Sequence, residues 1–517
     1  MKKLKLVCVA IAMACATPTL AGGLLTNTNQ HVAFNRMMSR EASIGIDGVY
    51  YNPAGVVFMG EGHHLAINWQ LAYQTRTINN DYKLFTNNVN NPITPRDFKG
   101  KAFAPVIPSF QYAYNKGKWS FQANFALTGG GGKCTFDDGL GSFEKIVAET
   151  AIAACQLAGA VDQVAGAYNV PAIFSSNQCF GTEGKYSYNS YMHGRQYYYG
   201  LSAGAAYKFS DNFSAFLGVR GVYALTNYYG YVENIQVGQM PLYKVLNPAK
   251  ESSANIELSC DQSGVGFTPI IGVDYKTGRW NFSAKYEFKT RIRLKNKSVN
   301  QIPSIGNLPD NLRNAYIANG VPEAAADAIL SNPKIQGAMV ALKTQFDSKI
   351  DGAIGEYGDG KKIAGDIPAY LALGVGYSPV DAVRVNVGFH WFDDKNATSY
   401  NNRNKELKRG TLEYNAGVEV DVNKKITLST GWQNTNYGLS DEYMDDKSFV
   451  VSSNSVAFGG VYHINKKMDL NVAYFHTFYQ HKKTSEKVQL TAEKSTNYSS
   501  DYTRNNNVFA VGLDINF

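Results

Sequence analysis

The C-terminal stretch of the chain decides the fold class, and its sequence is Asn507-Val508-Phe509-Ala510-Val511-Gly512-Leu513-Asp514-Ile515-Asn516-Phe517. Every second residue from Phe509 to Phe517 is apolar, and the residues between are small or polar. A period of two is typical of a β-strand with one apolar and one polar face. A strand that ends on an aromatic residue fits the last strand of an outer-membrane β-barrel. The alternative is an ordinary strand of a soluble sheet.

The other end of the chain predicts export. Met1-Lys2-Lys3-Leu4-Lys5 is basic, and residues 6–16 form an apolar run that is too short to span a bilayer. Thr19-Leu20-Ala21 offers small residues for cleavage, which predicts a signal peptide over residues 1–21 and a mature chain from Gly22. Its removal takes three lysines from a formal net charge of +8, and so mild a charge does not indicate a nucleic-acid partner.

Alternating segments recur through the middle of the chain, for example at 381–391, 411–420 and 425–432. Many of these segments end in Trp or Tyr, as aromatic girdles at a bilayer interface do. The aromatic residues concerned are Trp69, Tyr73, Trp119, Tyr207, Tyr223, Trp280, Tyr286, Trp391 and Trp432. No segment after the signal has about 20 consecutive apolar residues, so the pattern favours spanning strands over a spanning helix.

We predict an all-β fold, a 14-stranded antiparallel transmembrane β-barrel, from the number and spacing of these segments. The strands are predicted at 63–79, 104–115, 118–128, 191–209, 213–230, 264–276, 279–293, 366–377, 383–393, 410–421, 425–436, 454–464, 467–480 and 504–517. Short connections rich in Asn, Gly, Asp and Pro alternate with long ones. Short periplasmic turns and long external loops are typical of such barrels.

Two of the long loops contain helical patterns. Residues 143–167 are rich in Ala, Val and Gln, and residues 311–350 are rich in Ala, Ile and Leu. In the second loop, apolar residues recur at helical spacing, namely Ile335, Met339, Leu342, Phe346 and Ile350. This amphipathic helix either covers the mouth of the barrel or forms a docking groove for an apolar ligand.

The mature residues before the first strand carry the motifs of a known family. They include Arg36-Met37-Met38-Ser39-Arg40-Glu41-Ala42-Ser43-Ile44-Gly45-Ile46-Asp47 and then Asn52-Pro53-Ala54-Gly55. With these motifs, the mature chain resembles the FadL-type outer-membrane transporters of long-chain fatty acids and other hydrophobic compounds. Pro53 fixes its own φ and biases Asn52 toward an extended conformation, while Gly55 permits close approach of another chain segment.

The resemblance implies a domain organisation and a transport route. Residues 1–21 are the signal peptide, residues 22–62 an N-terminal hatch inside the lumen, and residues 63–517 the barrel. Ligand would enter from an external groove, occupy an apolar lumen pocket against the hatch and leave sideways through a kink in the third strand. The candidate ligand-binding residues are Phe34, Met37, Met38, Phe216, Arg220, Ile270, Phe392 and Phe475. The candidate hatch motif is Asn52, Pro53, Ala54 and Gly55.

The chain departs from the family pattern in two places. Asn35 and Arg40 stand where the family often has glycine around its hatch arginine. The predicted third strand, 119–128, contains neither Gly nor Pro, and the glycines follow only at 129–132. The sequence therefore supports the fold more strongly than it supports lateral exit.

Arg220 is predicted to point into the lumen, because its neighbours Val219 and Gly221 fall on the other strand face. An arginine facing lipid at mid-depth would cost about 2–4 kcal/mol. Two roles are open for it: pairing with an inward carboxylate such as Glu287 or Glu413, or binding a ligand carboxylate.

The sequence predicts passive transport rather than catalysis. Gly200-Leu201-Ser202-Ala203-Gly204 matches a nucleophile elbow, but it lies inside a predicted strand, with no helix after it. We expect no catalytic residue, no metal and no cofactor. The expected partners are a hydrophobic small molecule and outer-membrane lipids, the expected state is a monomer, and no nucleic acid is expected. The predicted cargo is a long-chain fatty acid. The alternatives are aromatic hydrocarbons, or a receptor or adhesin that transports nothing.

The mature cysteines are Cys134, Cys155, Cys179 and Cys260. All four fall in predicted external loops, and an even number in an oxidising compartment predicts two disulfides. Three pairings are open.

Overall fold

A computed structural model describes residue 26 and residues 30–304, 306–490 and 494–517. The predicted signal peptide, residues 1–21, lies outside the described residues. In the described part of the chain, no helix combines the length and the apolar character needed to cross a membrane.

Long antiparallel strands form a closed barrel of 14 strands, each paired with its neighbours in the chain. They are β1 (Gly62–Tyr82), β2 (Arg96–Lys116), β3 (Trp119–Phe136), β4 (Tyr186–Lys208), β5 (Phe213–Val237), β6 (Ile256–Thr277), β7 (Trp280–Glu287), β8 (Tyr370–Val380), β9 (Val383–Phe392), β10 (Arg409–Asn423), β11 (Ile426–Gly438), β12 (Ser453–Asn465), β13 (Met468–Tyr479) and β14 (Ser495–Asn516). Each predicted strand overlaps one of these, so the predicted fold class is confirmed.

The last strand closes the barrel against the first, with a register that runs from His64 opposite Asn516 to Tyr82 opposite Tyr498. Its alternation separates the two faces: Phe509 is 53% exposed, whereas Val508 is 1% exposed. Large apolar side chains are likewise exposed around the outer wall, including Trp69, Phe121, Leu217, Phe267, Val387 and Phe458. The apolar faces therefore point outward to form a lipid-facing belt, which rules out the soluble-sheet alternative.

Four short strands extend the wall at the end that carries the long loops: Met240–Pro241, Arg293–Gln301, Lys362–Ala364 and Lys482–Gln489. Arg293–Gln301 pairs with the start of β6, and Lys482–Gln489 pairs with the start of β14. Their mostly polar sequences gave no alternating signal. Since β5 alone has 25 residues, and about 9–11 suffice to cross a bilayer, the wall rises well beyond the lipid.

The helices lie in the hatch and in the long loops. They are α1 (Val32–Met37), α2 (Gly48–Tyr51), α3 (Gly141–Gly166), α4 (Tyr243–Leu246), α5 (Leu308–Ala318), α6 (Glu323–Leu330) and α7 (Pro333–Ile354). Helices α3 to α7 share one apolar core with the loop end of the wall, which confirms the helices predicted in the two longest loops.

The hatch lies inside the barrel, as the resemblance predicts. Helix α1 is buried throughout and packs against β10 to β14. Helix α2 is also buried and contacts β2 and β3. The described part of the hatch therefore blocks the end of the barrel where the short turns lie, which we call the turn end.

The predicted disulfides are wrong. Cys134 lies in β3 and Cys260 in β6, so the prediction that all four cysteines lie in loops is also wrong. All four cysteines of the described chain are free and buried. They pack as small apolar side chains, and Cys155 and Cys179 belong to the core of the loop helices.

Candidate functional site

The Asn-Pro-Ala-Gly motif fixes the hatch to the wall at the turn end. Asn52 Nδ2 donates to Asp274 Oδ2 on β6 at 2.6 Å. Asn52 Oδ1 accepts from the backbone N–H of Gly55 at 3.2 Å, which closes a local turn. A Cβ on Gly55 would lie 2.9 Å from Asn52 Cγ and 3.1 Å from Asp274 Oδ2, so only glycine fits here without a shift.

The backbone of the same motif is held by two further strands. Gln122 Nε2 donates to the carbonyl of Pro53 at 2.7 Å, and Ser214 Oγ donates to the carbonyl of Ala54 at 2.7 Å. Strands β3, β5 and β6 therefore all hydrogen-bond to this one turn, and the predicted motif attaches the hatch to the barrel wall.

Buried ion pairs hold the middle of the hatch against the opposite wall. Glu419 on β10 accepts from Arg36 and lies 3.2 Å from Arg40 Nη1. Arg40 also pairs with Asp47 of the hatch, with Nε 2.7 Å from Oδ2. Glu419 further pairs with Arg384 of β9 at 3.1 Å. One wall carboxylate therefore serves three arginines, two of which belong to the hatch.

A second carboxylate contact joins the hatch to the wall through a histidine. His390 of β9 lies between Glu41 of the hatch, at 2.7 Å, and Glu413 of β10, at 2.9 Å. Glu413 also accepts from Thr435 at 2.7 Å and from Gln433 at 3.0 Å. Buried polar contacts therefore help to bind the hatch to the wall.

Arg220 points into the lumen, as predicted, and its guanidinium is already paired. Its Nη1 donates to Glu287 Oε2 at 2.6 Å, and its Nη2 donates to Glu287 Oε1 at 2.9 Å. Lys285 joins Glu287 at 3.0 Å and donates to the carbonyl of Tyr50 at 2.6 Å. Of the two roles left open by the sequence, the geometry favours pairing with an inward carboxylate.

The other candidate ligand-binding residues are all buried, but the structure does not bring them to one place. Phe34, Met38 and Phe475 pack together with Tyr50 and Tyr51 where the hatch meets the wall. Phe216 and Ile270 pack near the turn end against Ala54 and Val57, and Phe392 lies in a third cluster with Tyr370. Met37 is buried in α1, where its carbonyl faces Gly417 and Gly431.

A large cavity lies in the lumen above the described hatch, and we call it the lumen chamber. It has a volume of about 250 Å³. Its lower wall includes Ala72, Phe475 and Val508, which also pack against the hatch. Its polar lining comes largely from β1, β4 and β14 and includes Gln74, Arg76, Gln196, Arg504 and Asn506. The chamber thus combines an apolar floor with a polar upper wall.

A loop between β11 and β12 forms the roof of the chamber through Lys447, Ser448 and Val450. Asp446 of this roof accepts from the backbone N–H of Ser142 at 2.8 Å and from the Tyr502 hydroxyl at 2.9 Å. Burial raises the pKa of the Asp446 carboxyl above its usual range. The roof is therefore tied to both the start of α3 and the wall.

The side of the chamber faces a break in the wall, which we call the wall gap. Strands β2 and β3 pair up to Ser109 opposite Ala126 and resume at Ala102 opposite Cys134. No ladder pair joins residues 103–108 to residues 127–133 of the described strands. The chamber touches both edges of this gap, through Ala104 and Ile107 and through Leu127, Gly130 and Gly132.

Local sequence explains the wall gap. Pro105 and Pro108 of β2 lack the N–H that a ladder needs. On β3, register shifts flank residues 128 and 131, and Gly130 has φ +77°, where a Cβ would collide with the carbonyl of Gln196. The glycine run that follows the segment expected to kink is therefore the site of the irregularity.

Two smaller cavities lie on the loop side of the chamber. The external groove lies between α3 and α7, and its lining is nearly all apolar, including Leu157, Phe174, Leu312, Leu342 and Phe346. A middle pocket, lined by Phe143, Ile146, Leu258 and Ile354, shares Met192, Tyr228 and Lys447 with the chamber. The loop helices therefore both cover the mouth of the barrel and line an apolar cavity, so both of their predicted roles stay open.

Arg76 and Arg504 are site residues that the sequence analysis missed. Both lie at inward positions and are cross-strand neighbours in the pairing of β1 with β14. The alternation of each strand is visible in the sequence. The register that places the two arginines opposite each other is set only when β1 and β14 close the barrel.

Comparisons with known proteins agree with this architecture. No protein-family model and no curated protein sequence matches the chain. Among solved structures, a FadL homologue of Pseudomonas aeruginosa matches 96% of this chain and 100% of its own, with 14% identity and a TM-score of 0.59. A TodX monoaromatic hydrocarbon channel, a deltaS2S3 mutant, matches 94% of this chain and 98% of its own, with 14% identity and a TM-score of 0.52.

A closed barrel with an exposed apolar belt is an outer-membrane protein. Within that class, the chain has the FadL-type fold, with a hatch in the lumen of a 14-strand barrel. The resemblance predicted from the hatch motifs is therefore confirmed in the fold.

Proposed function

We propose that the protein conducts hydrophobic molecules passively across the outer membrane, and that long-chain fatty acids are its main cargo. One observation carries the proposal: the lumen chamber shares lining residues with the middle pocket toward the loop end and reaches the wall gap at its side. An apolar ligand that leaves water for such surfaces gains about 25 cal/mol per Å² of buried apolar area.

The route proposed here leads sideways rather than through the hatch. Below the chamber, the hatch is fastened by the Asn52–Asp274 contact and by the ion pairs of Glu419. Opening that path would break buried charge pairs, whereas the wall gap already lacks ladder hydrogen bonds. A ligand released there would enter the bilayer directly.

The chamber also distinguishes transport from a receptor or adhesin. A barrel that only displays loops can fill its interior with charge. Here the ion pairs bind the hatch, but the chamber above it is open, and Phe475 and Val508 give its floor apolar surface. This arrangement supports passage of a lipophilic molecule.

The test is uptake by cells that lack their own outer-membrane fatty acid transporter. We expect cells that produce the protein to take up labelled oleate faster than empty-vector cells, and toluene uptake measured in parallel ranks the two cargo classes. Gly132→Leu should slow uptake, because a Cβ there meets only Ala104 Cβ at 3.6 Å and a longer side chain extends into the wall gap. Gly132→Ala is the matched control and should transport normally.

Two results would contradict the proposal. If an assembled barrel transports neither cargo, the receptor alternative is favoured. If Gly132→Leu transports as well as Gly132→Ala, exit does not use the wall gap.

A further inference from the structure

Two arginines lie side by side on the wall of the lumen chamber without a carboxylate between them. Arg76 of β1 and Arg504 of β14 are directly opposed in the strand register, and both line the chamber. Like charges at directly opposite positions of an antiparallel pair destabilise it. The arrangement therefore needs a counter-charge.

The contacts of the two guanidinium groups do not supply it. Arg76 Nε donates to Gln74 Oε1 at 2.9 Å. Arg504 lies over the ring of Phe449, 4.8 Å from its centroid, and its Nε is buried without a hydrogen-bond partner among the described residues. The described lining of the chamber includes no Asp or Glu. Residues 22–29, which precede the described hatch, contain no acidic residue either.

Elsewhere in the lumen this protein pairs its arginines. Arg36 and Arg40 share Glu419, and Arg220 holds Glu287. Arg76 and Arg504 are half-buried and have no such partner among the described residues, so the contrast indicates that their counter-charge is supplied from outside the chain.

We propose that Arg76 and Arg504 form a binding site for the oxyanion head group of an amphipathic ligand. Guanidinium groups contact carboxylate and phosphate oxygens in pairs, which suits a head group held between two arginines. Ile107 and Leu127, on the two edges of the wall gap, offer apolar surface in the same chamber for the tail. This inference rests on the proposed function, and it makes the two arginines the residues that select acids over neutral lipophiles.

The test compares ligands of equal tail length on the purified full-length protein in a non-ionic detergent at pH 8. The probes are decanoate, decyl phosphate and methyl decanoate, and binding is measured by calorimetry. We expect wild type to bind at least one of the two anions about tenfold or more tightly than the ester, as a charge-assisted hydrogen bond allows. Whichever anion binds more tightly identifies the head group.

The variant Arg76→Gln/Arg504→Gln should bind the anions and the ester with similar affinity. The matched control is Arg195→Gln, which removes an exposed cation from β4 opposite Lys133. That control should keep the wild-type preference for the anions. If the double glutamine variant does not assemble, Arg76→Lys/Arg504→Lys keeps both charges, and it should lower the preference without abolishing it.

The inference is overturned if wild type binds the ester as tightly as both anions, or if the assembled glutamine variant keeps the preference. Its failure differs from that of the proposed function. A protein that transports acid and ester alike refutes the arginine site and retains the transport proposal. A protein that prefers anions but transports nothing retains the arginine site and refutes the transport proposal.

Discussion

Arg220 holds Glu287 through both of its amino groups, at 2.6 and 2.9 Å, and both side chains are buried in the lumen. Lys285 adds a third contact to the same carboxylate. The guanidinium of Arg220 is therefore paired with the barrel wall. It also lies over the ring of Tyr50 and so supports the hatch.

The first prediction follows from that pairing. Arg220→Ala leaves a buried carboxylate with only Lys285, which typically costs about 3–5 kcal/mol of stability. We expect a lower unfolding temperature and equal loss of oleate and methyl oleate uptake, because the hatch rather than the ligand is affected. Selective loss of oleate uptake, with methyl oleate uptake kept, would instead indicate that Arg220 binds the ligand carboxylate.

The second prediction concerns the shared carboxylate of the hatch. Glu419→Ala leaves Arg36 and Arg40 without their wall partner and should loosen the hatch. We expect larger ion conductance across a planar bilayer than for wild type. Asp421→Ala is the matched control, because Asp421 pairs with Arg384 and Thr427 and makes no hatch contact among the described residues. Equal conductance of the two variants would show that Glu419 does not hold the hatch.

The third prediction tests the fastening turn. Gly55→Ala places a methyl group against Asn52 and should break the Asn52–Asp274 hydrogen bond. Its loss should destabilise the protein by about 1–3 kcal/mol, because a buried acceptor loses one of its donors. Gly60→Ala has no atom within 4 Å of the new Cβ and should unfold at the wild-type temperature. The measurement is the midpoint of thermal unfolding, and identical midpoints for both variants would contradict the assignment.

The fourth prediction is a pH dependence in the loop between β9 and β10. Burial raises the pKa of Asp394 from its ordinary value of 3.8 to about 7. Because the folded loop binds this proton more tightly than the unfolded loop does, the stabilisation is full below pH 3.8 and is lost as the pH rises through about 7.

Hydrogen exchange of residues 393–411 measures this effect. Wild type should exchange faster at pH 8 than at pH 5, after correction for intrinsic rates. Asp394→Asn should show little such change, because its side chain does not ionise. A wild-type loop whose protection is independent of pH would refute the prediction.

The fifth prediction concerns the thiols. Unfolding without a reducing agent should expose four alkylatable cysteines in the mature chain, since all four are free. In the folded protein, burial raises the pKa of the Cys155 and Cys179 thiols, so alkylation should be slow at neutral pH. Fewer than four alkyl adducts on the unfolded protein, counted by mass spectrometry, would indicate a disulfide.

The sequence predicted the barrel because each spanning strand carries its own evidence. Alternation in segments such as Phe509–Phe517 reports one apolar face, and the turn residues fix where the strands reverse. The polar extension Arg293–Gln301 escaped detection because its two apolar residues, Leu294 and Val299, are five positions apart and fall on opposite faces. The cysteines were misjudged because their number and compartment say nothing about distance or burial.

The site was predicted less completely, because its parts come from distant strands. Inward positions such as Phe216, Phe392 and Phe475 follow from alternation alone, yet they fall in three separate clusters. The pairing of Arg76 with Arg504 depends on barrel closure between the first and last strands. The wall gap depends on the prolines of β2 and the glycine run of β3 coming together when the two strands pair.

The height of the wall has a consequence for where capture occurs. Strands of up to 25 residues, at about 3.3 Å per residue and tilted by about 45°, rise nearly twice the thickness of the hydrocarbon layer. The apolar mouth formed by α3 and α7 is thereby lifted off the bilayer surface. On the proposed route, the ligand therefore enters the protein well above the hydrocarbon layer.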